Sequence, residues 1–172
     1  MEIIFRPLQS KNYLSYVPSI ESDTMTVTAN PMGMAPLQII TSKFSWNSLR
    51  VHRAATRVNR FSKVAVLQDL KPKLILVPRT TGEKDASKLM DELLEAAESV
   101  QSEVLNFTHY GYIQEKLPNV EVESVLRKLY EIKNRTSVRV FIWDIDSRYE
   151  GEIKDIYKKY FSKNLATAGA VK

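Results

Sequence analysis

The sequence contains no cysteine. That excludes a disulfide framework, a thiolate zinc site and a cysteine nucleophile. Histidine is nearly as scarce, with His52 and His109 the only two. A multi-histidine metal site is therefore excluded, and a Ser-His-Asp triad would have to use one of this pair. The five glycines are scattered and supply no G-x-S-x-G nucleophile elbow. Acyl-transfer chemistry is not expected, and no residue is assigned a catalytic, metal-binding or cofactor-binding role. No apolar run approaches the roughly 18 residues of a membrane span. The stretch MEIIFRPLQS lacks the basic-then-apolar pattern of a secretory signal. A cytosolic or nuclear compartment is the default, and cytoplasmic is the expectation.

Acidic residues are missing from one segment in particular. Between Lys43 and Arg79 stand nine basic residues and a single acid, Asp69. The rest of the chain holds 16 basic and 19 acidic residues, so the whole excess of positive charge belongs to that segment.

What is present is an alternation of apolar runs and helical periods. At 172 residues the chain is long enough to bury a proper core and fits one α/β domain, 1–162, with 163–172 as a flexible tail. Residues 3–8 read as a strand ended by Pro7, and Thr24–Ala29 alternates threonine with apolar residues as a half-buried strand does. Leu37–Thr41 reads as a further short strand. Ser48–Ser62 has helical period, with Val51, Ala54, Ala55, Val58 and Phe61 on one face and Arg50, Arg53, Arg57 and Arg60 in an arc beside it. Val64–Leu67 fits either the end of that helix or an edge strand. Lys73–Val77 (KLILV) reads as a strand covered on both faces. Asp85–Gln101 follows as a helix with Asp85 as N-cap. Then come strand Val104–Phe107, helix Val120–Asn134, strand Val138–Trp143 and helix Arg148–Phe161. Crossovers of this length require parallel strands. The expected fold is a three-layer α/β/α domain with a mixed, largely parallel sheet, the N-terminal strands forming its mixed part.

The stretch Val104–Pro118 organises the rest. In a parallel sheet ligands sit beyond the carboxyl ends of the strands, so the loop after Val104–Phe107 is the best place for a small-molecule site. Thr108, His109, Tyr110, Gly111 and Tyr112 are its candidate residues.

The element order and several local strings together resemble the macro domain, a mixed-sheet α/β module that binds ADP-ribose. Thr26-Val27-Thr28-Ala29-Asn30-Pro31-Met32-Gly33 resembles that family's early strand and Asn-containing loop. Asp85–Gln101, Val104–Phe107 and Gly111-Tyr112-Ile113 occupy the places of the helix, strand and diphosphate-wrapping loop. Val120–Phe161 matches the closing helix, strand and helix. The chain departs from the family in three places. The first loop keeps only Gly33, the second keeps only Gly111, and the acidic residue that meets adenine has no evident counterpart. Glycines let backbone amides approach phosphate oxygens, so the resemblance is to a divergent member. It implies a binding module for ADP-ribose or a related nucleotide diphosphate, with weak hydrolysis as a possible accompaniment and enzymatic status left open. The ligand would lie between Asn30–Gly33 and Thr108–Gln114.

Each candidate also has a plainer role. Asn30 before Pro31 is a turn signal as well as an amide for a ribose. His109 titrates near neutrality and could serve a phosphate or a proton transfer, or be a polar surface residue. Tyr110 and Tyr112 could stack on a base or cap the core. Arg50, Arg53, Arg57 and Arg60 could meet nucleic-acid phosphates or an acidic protein, or be a solvated helix face. Asp144 and Asp146 in FIWDIDS carry the spacing of a Mg²⁺-binding pair, but the helix after them makes loop or N-cap duty the better reading. No membrane partner is expected, and the oligomeric state is left open.

Overall fold

A computed structural model describes residues 1–8, 22–29, 35–78, 83–108 and 119–170. Six strands, β1 (Glu2–Leu8), β2 (Thr24–Thr28), β3 (Ala65–Leu67), β4 (Lys73–Val77), β5 (Val104–Thr108) and β6 (Val140–Asp146), form one sheet in the order β1-β6-β5-β2-β4-β3. The helices are α1 (Ala35–Lys43), α2 (Ser48–Phe61), α3 (Glu83–Ser99), α4 (Asn119–Ile132) and α5 (Glu150–Ala170), the last preceded by a 3₁₀ turn at Ser147–Tyr149. Every pairing is parallel except β3 against β4.

Alternation along the strands sends side chains to two cores. Met25, Val27, Leu74 and Leu76 meet Leu37, Ile40, Val51 and Val58 of α1 and α2 on one face. Leu105, Phe107, Phe141 and Trp143 meet Leu93 of α3, Leu126 and Leu129 of α4 and Ile153 of α5 on the other. Each such side chain withdrawn from water contributes roughly 1.5–3 kcal/mol. The sandwich of helices around a sheet is the expected three-layer α/β/α architecture, with its mixed sheet largely parallel.

Several local expectations are corrected. Leu37–Thr41 is helix, because Leu37, Ile40 and Thr41 are buried at spacings of three and four while Gln38 and Ser42 face out. β2 is buried at all five positions, not half-buried, since it lies between β4 and β5 with a helical layer on each side. The antiparallel member is β3 and not an N-terminal strand: β1 and β2 both run parallel to their neighbours. Pro7 continues β1 instead of ending it, which an edge strand permits because the missing N–H is lost to no ladder on the outer side. Asp85 lies within α3, which starts at Glu83. Asp144 and Asp146 lie inside β6, opposite Arg6 and Leu8. Phe61 is 60% exposed although it was expected on the apolar face of α2. The open choice at Val64–Leu67 resolves as an edge strand.

At the amino-terminal edge of the sheet one carboxylate ties the central strands together. Asp23 accepts hydrogen bonds from the Glu103 and Val104 amides and the Ser102 hydroxyl, each at 2.8 Å, and from Thr24 Oγ1 at 2.7 Å. Its own amide donates to the Val104 carbonyl and its carbonyl accepts from the Lys73 amide, each at 3.0 Å, so one residue joins β2 to both β5 and β4. Burial by itself would push this carboxyl up, but the bonds from Thr24, Val104, Glu103 and Ser102 outweigh it and hold its pKa below the ordinary value. A depressed folded-state pKa contributes stability that is complete above the unfolded-state pKa, near 3.9, and is lost as pH falls through the folded-state pKa. Asp23→Ala should therefore lower stability at pH 7 by about 1–2 kcal/mol, solvent screening included. The gap to the parent should narrow as urea melts are taken from about pH 5 down to about pH 2. A gap that stays constant would mean that the charge is not what holds these strands.

Candidate functional site at the strand tips

β2 and β5 are neighbours, with Thr26 opposite Phe107 and Val27 opposite Thr108. Both strands run the same way, so the chain leaves them at the same edge about 5 Å apart. From β2 it goes to α1 and α2, which pack on one face. From β5 it goes to α4, which packs on the other. Adjacent strands whose outgoing connections part to opposite faces form a topological switch point, where open α/β sheets hold their ligands. The hydroxyl of Thr28, the last residue of β2, is buried and has no hydrogen-bond partner among the described residues.

One step below the tips lies a polar cluster that the sequence reading did not assemble. The Asp144 carboxylate accepts from Arg6 Nε at 2.6 Å and Arg6 Nη2 at 2.8 Å, a two-pronged ion pair between β6 and β1. Asn106 Nδ2 donates to the same carboxylate and to the Ile142 carbonyl, each at 3.1 Å, extending the cluster to β5. Asp144 and Asn106 are buried, and Asn106 Oδ1 has no hydrogen-bond partner among the described residues. Fork-to-fork pairing fixes geometry as well as charge, and a buried acceptor without a donor is an available group for an N–H or O–H. The signal in the sequence is a polar residue inside an apolar strand: Asn106 in VLNFT, Asp144 in VFIWDID and Arg6 in EIIFRPL. Their partnership is long-range, which is why composition and period could not reveal it. Asp144 is thus an internal strand anchor, which corrects the loop or N-cap role expected for it. Among the described residues no group of three metal-binding side chains forms.

Of the residues expected to contact ligand, Thr108 closes β5 at the tip edge. Asn30, Gly33, His109, Tyr110, Gly111 and Tyr112 lie outside the described residues. The arginine arc is real: Arg50, Arg53, Arg57 and Arg60 are all exposed along α2. They are not equivalent. Arg50 forms a two-pronged pair with Asp69, which lowers the Asp69 pKa and raises that of Arg50 through their shared hydrogen bonds. Arg60 lies over the ring of Phe61, 5.3 Å from its centroid. His52 borders an open groove of about 290 Å³ between α1 and α2, with Leu37, Gln38, Thr41 and Leu49.

No protein-family model matches the sequence, and no curated protein does. Solved structures do match its shape. The GDAP2 macro domain superposes with a TM-score of 0.64 at 11% identity, over 93% of this chain and 84% of that one. The fold is that of a macro domain. The Trypanosoma brucei macrodomain in complex with ADP gives 0.61 at 11% identity, over 91% of this chain and 66% of that one. A mutant macrodomain from Oceanobacillus iheyensis gives 0.56 at 13% identity, over 86% and 84%. At such identities the likeness establishes the macro-domain architecture.

The ion pair under the tips makes a direct stability prediction. Asp144→Ala removes the buried carboxylate that the Arg6 guanidinium grips and should cost about 3 kcal/mol in urea unfolding, whereas Arg6→Met/Asp144→Leu should recover much of that loss. A single variant as stable as the parent would show that this pair does not anchor β1 to β6.

Proposed function

We propose that the protein binds ADP-ribose or a related nucleotide diphosphate at the edge where β2 and β5 end. The observation that carries this is the switch point: two neighbouring parallel strands whose outgoing connections part, in a sheet with macro-domain order. A diphosphate is suited to such an edge because backbone amides leaving strand tips can converge on its oxygens without a paired cation. In the chain Asn30 and Gly33 follow β2, and His109 to Tyr112 follow Thr108 at the end of β5, an order that supports this reading. Further support is the T. brucei macrodomain, which shares the fold and was captured with ADP. The low glycine content argues for a narrower or weaker phosphate contact than a glycine-rich loop would give. Weak ADP-ribose-related hydrolysis is the catalytic extension of this proposal, with Asn30 as the residue to orient a water.

Calorimetric titration with ADP-ribose, with AMP as control, tests the proposal. Saturable heat with ADP-ribose that AMP does not reproduce is the expected result, and Gly111→Glu should abolish it while leaving the thermal transition in place. Absence of heat together with absence of any thermal shift would remove the nucleotide from this edge.

A further inference from the structure

The outer surface of α2 carries charge that folding does not require. The helix SLRVHRAATRVNRF holds four arginines and no acid. Arg53 and Arg57 are one turn apart with the same sign, an arrangement that destabilises a helix. Arg50 sits in the first turn, the positive end of the helix dipole, and there Asp69 compensates it. Arg53 and Arg57 have no such partner among the described residues. They and Arg60 line roughly 10 Å of helix, and Phe61 ends the line, 60% exposed, with the Arg60 guanidinium over one side of its ring. Lys63 continues it, also exposed.

We propose that this face is a binding site for single-stranded nucleic acid, independent of the nucleotide site at the strand tips. Guanidinium forks suit successive phosphates better than ammonium groups do. A flat exposed aromatic at the end of a phosphate track offers a surface on which an unpaired base can stack, as sites for single strands do without reading sequence. The aromatic decides between partners. An acidic protein segment would use the arginines but has no base to lay on Phe61, and a duplex keeps its bases inside.

The face also has a definite place on the molecule. Its lower end lies beside Asp69 and the start of β4, where Trp46 Nε1 donates to the Lys71 carbonyl at 3.1 Å. Its upper end precedes β3, whose Ala65 pairs with Leu76 near the tip of β4. The track therefore runs the height of the sheet on the outside of the α1/α2 layer.

The test uses fluorescence anisotropy of the full chain with a labelled oligothymidine 12-mer. The expected slope of log affinity against log salt is about −2, from three phosphate contacts on a single strand, or roughly a tenfold to twentyfold loss between 50 and 200 mM salt. Arg53→Glu/Arg57→Glu should lower affinity at least tenfold and flatten the slope. Phe61→Ala should lower affinity severalfold with the slope unchanged, because it removes stacking and no charge. Lys88→Glu/Lys154→Glu makes the same change of net charge elsewhere and should leave the affinity within about twofold, since surface charges far from a contact are screened. Equal losses in the two double-charge variants, a Phe61→Ala affinity equal to the parent's, or displacement of the oligonucleotide by an equal charge of poly-glutamate would each overturn the proposal.

Discussion

The seating of β2 between β4 and β5 is the constraint on which the rest of the molecule depends. Among the described strands β2 joins the two sides of the sheet: β1, β6 and β5 lie on one flank and β4 and β3 on the other. Its side chains enter both cores, Met25 and Val27 below α1 and α2, and Thr24 and Thr26 on the face of Leu105 and Phe107. Displacing it by one residue would exchange those faces and drive threonine hydroxyls against Val51 and Val58. The Asp23 carboxylate guards against that slip by taking two amides and a hydroxyl from Ser102 to Val104, a set of donors that matches in only one register. Since β2 and β5 also define the switch point, the same bonds at the bottom of the sheet set the relative height of the two tips at the top.

A second constraint holds the far flank. Among the described residues the α1/α2 core includes no side chain from β1, β5 or β6. On that part of the face the strands are joined instead by Arg6, Asp144 and Asn106. Desolvating an arginine–carboxylate pair is expensive and the net gain in stability over an apolar replacement is small or negative. What such a pair supplies is geometry: a two-pronged contact fixes β1 against β6 in register and orients Asn106 by its amide, leaving its oxygen as an available acceptor. On this face the sheet is thus anchored by apolar packing on one side of β2 and by a polar lattice near the strand tips on the other.

Strength of signal in the sequence followed the range of the interaction. Continuous apolar strands such as KLILV and long amphipathic helices such as Glu83–Ser99 announce themselves locally, because both faces or one whole stripe must be buried. The α1 segment misleads for a physical reason. Ile39, Ile40 and Thr41 are β-branched in succession, a strand preference, yet packing of Leu37 and Ile40 under α2 overrides it. Phe61 misleads in the opposite direction, since helical angle alone places it at the margin between the apolar face and the arginine arc. The strand-tip loop after β5 was legible because a strand followed by a loop and a helix is a local pattern, whereas the switch point was not, since it depends on β2 lying beside β5. Asn106 was not, because nothing near position 106 names its partners at 142 and 144.

The arginines of α2 illustrate where reading charge from sequence stops being sufficient. Counting made all four look alike, whereas the fold sorts them by what lies opposite. Asp69 is the single acid of its segment, and the turn after β3 carries it back beside Arg50 at the base of the helix. Among the described residues no comparable return brings an acid to Arg53 or Arg57: the strand that follows α2 is only three residues long and its neighbour β4 is almost wholly buried. The upper part of the helix is left with charge repulsion along its axis and an exposed ring at its end, a combination that opposes the folding of the isolated chain. Such a surface is stabilised when phosphates lie along it and counterions are released. That repulsion, a few tenths of a kcal/mol for a like-charged pair one turn apart, is the physical argument behind the proposal that this face binds a single strand.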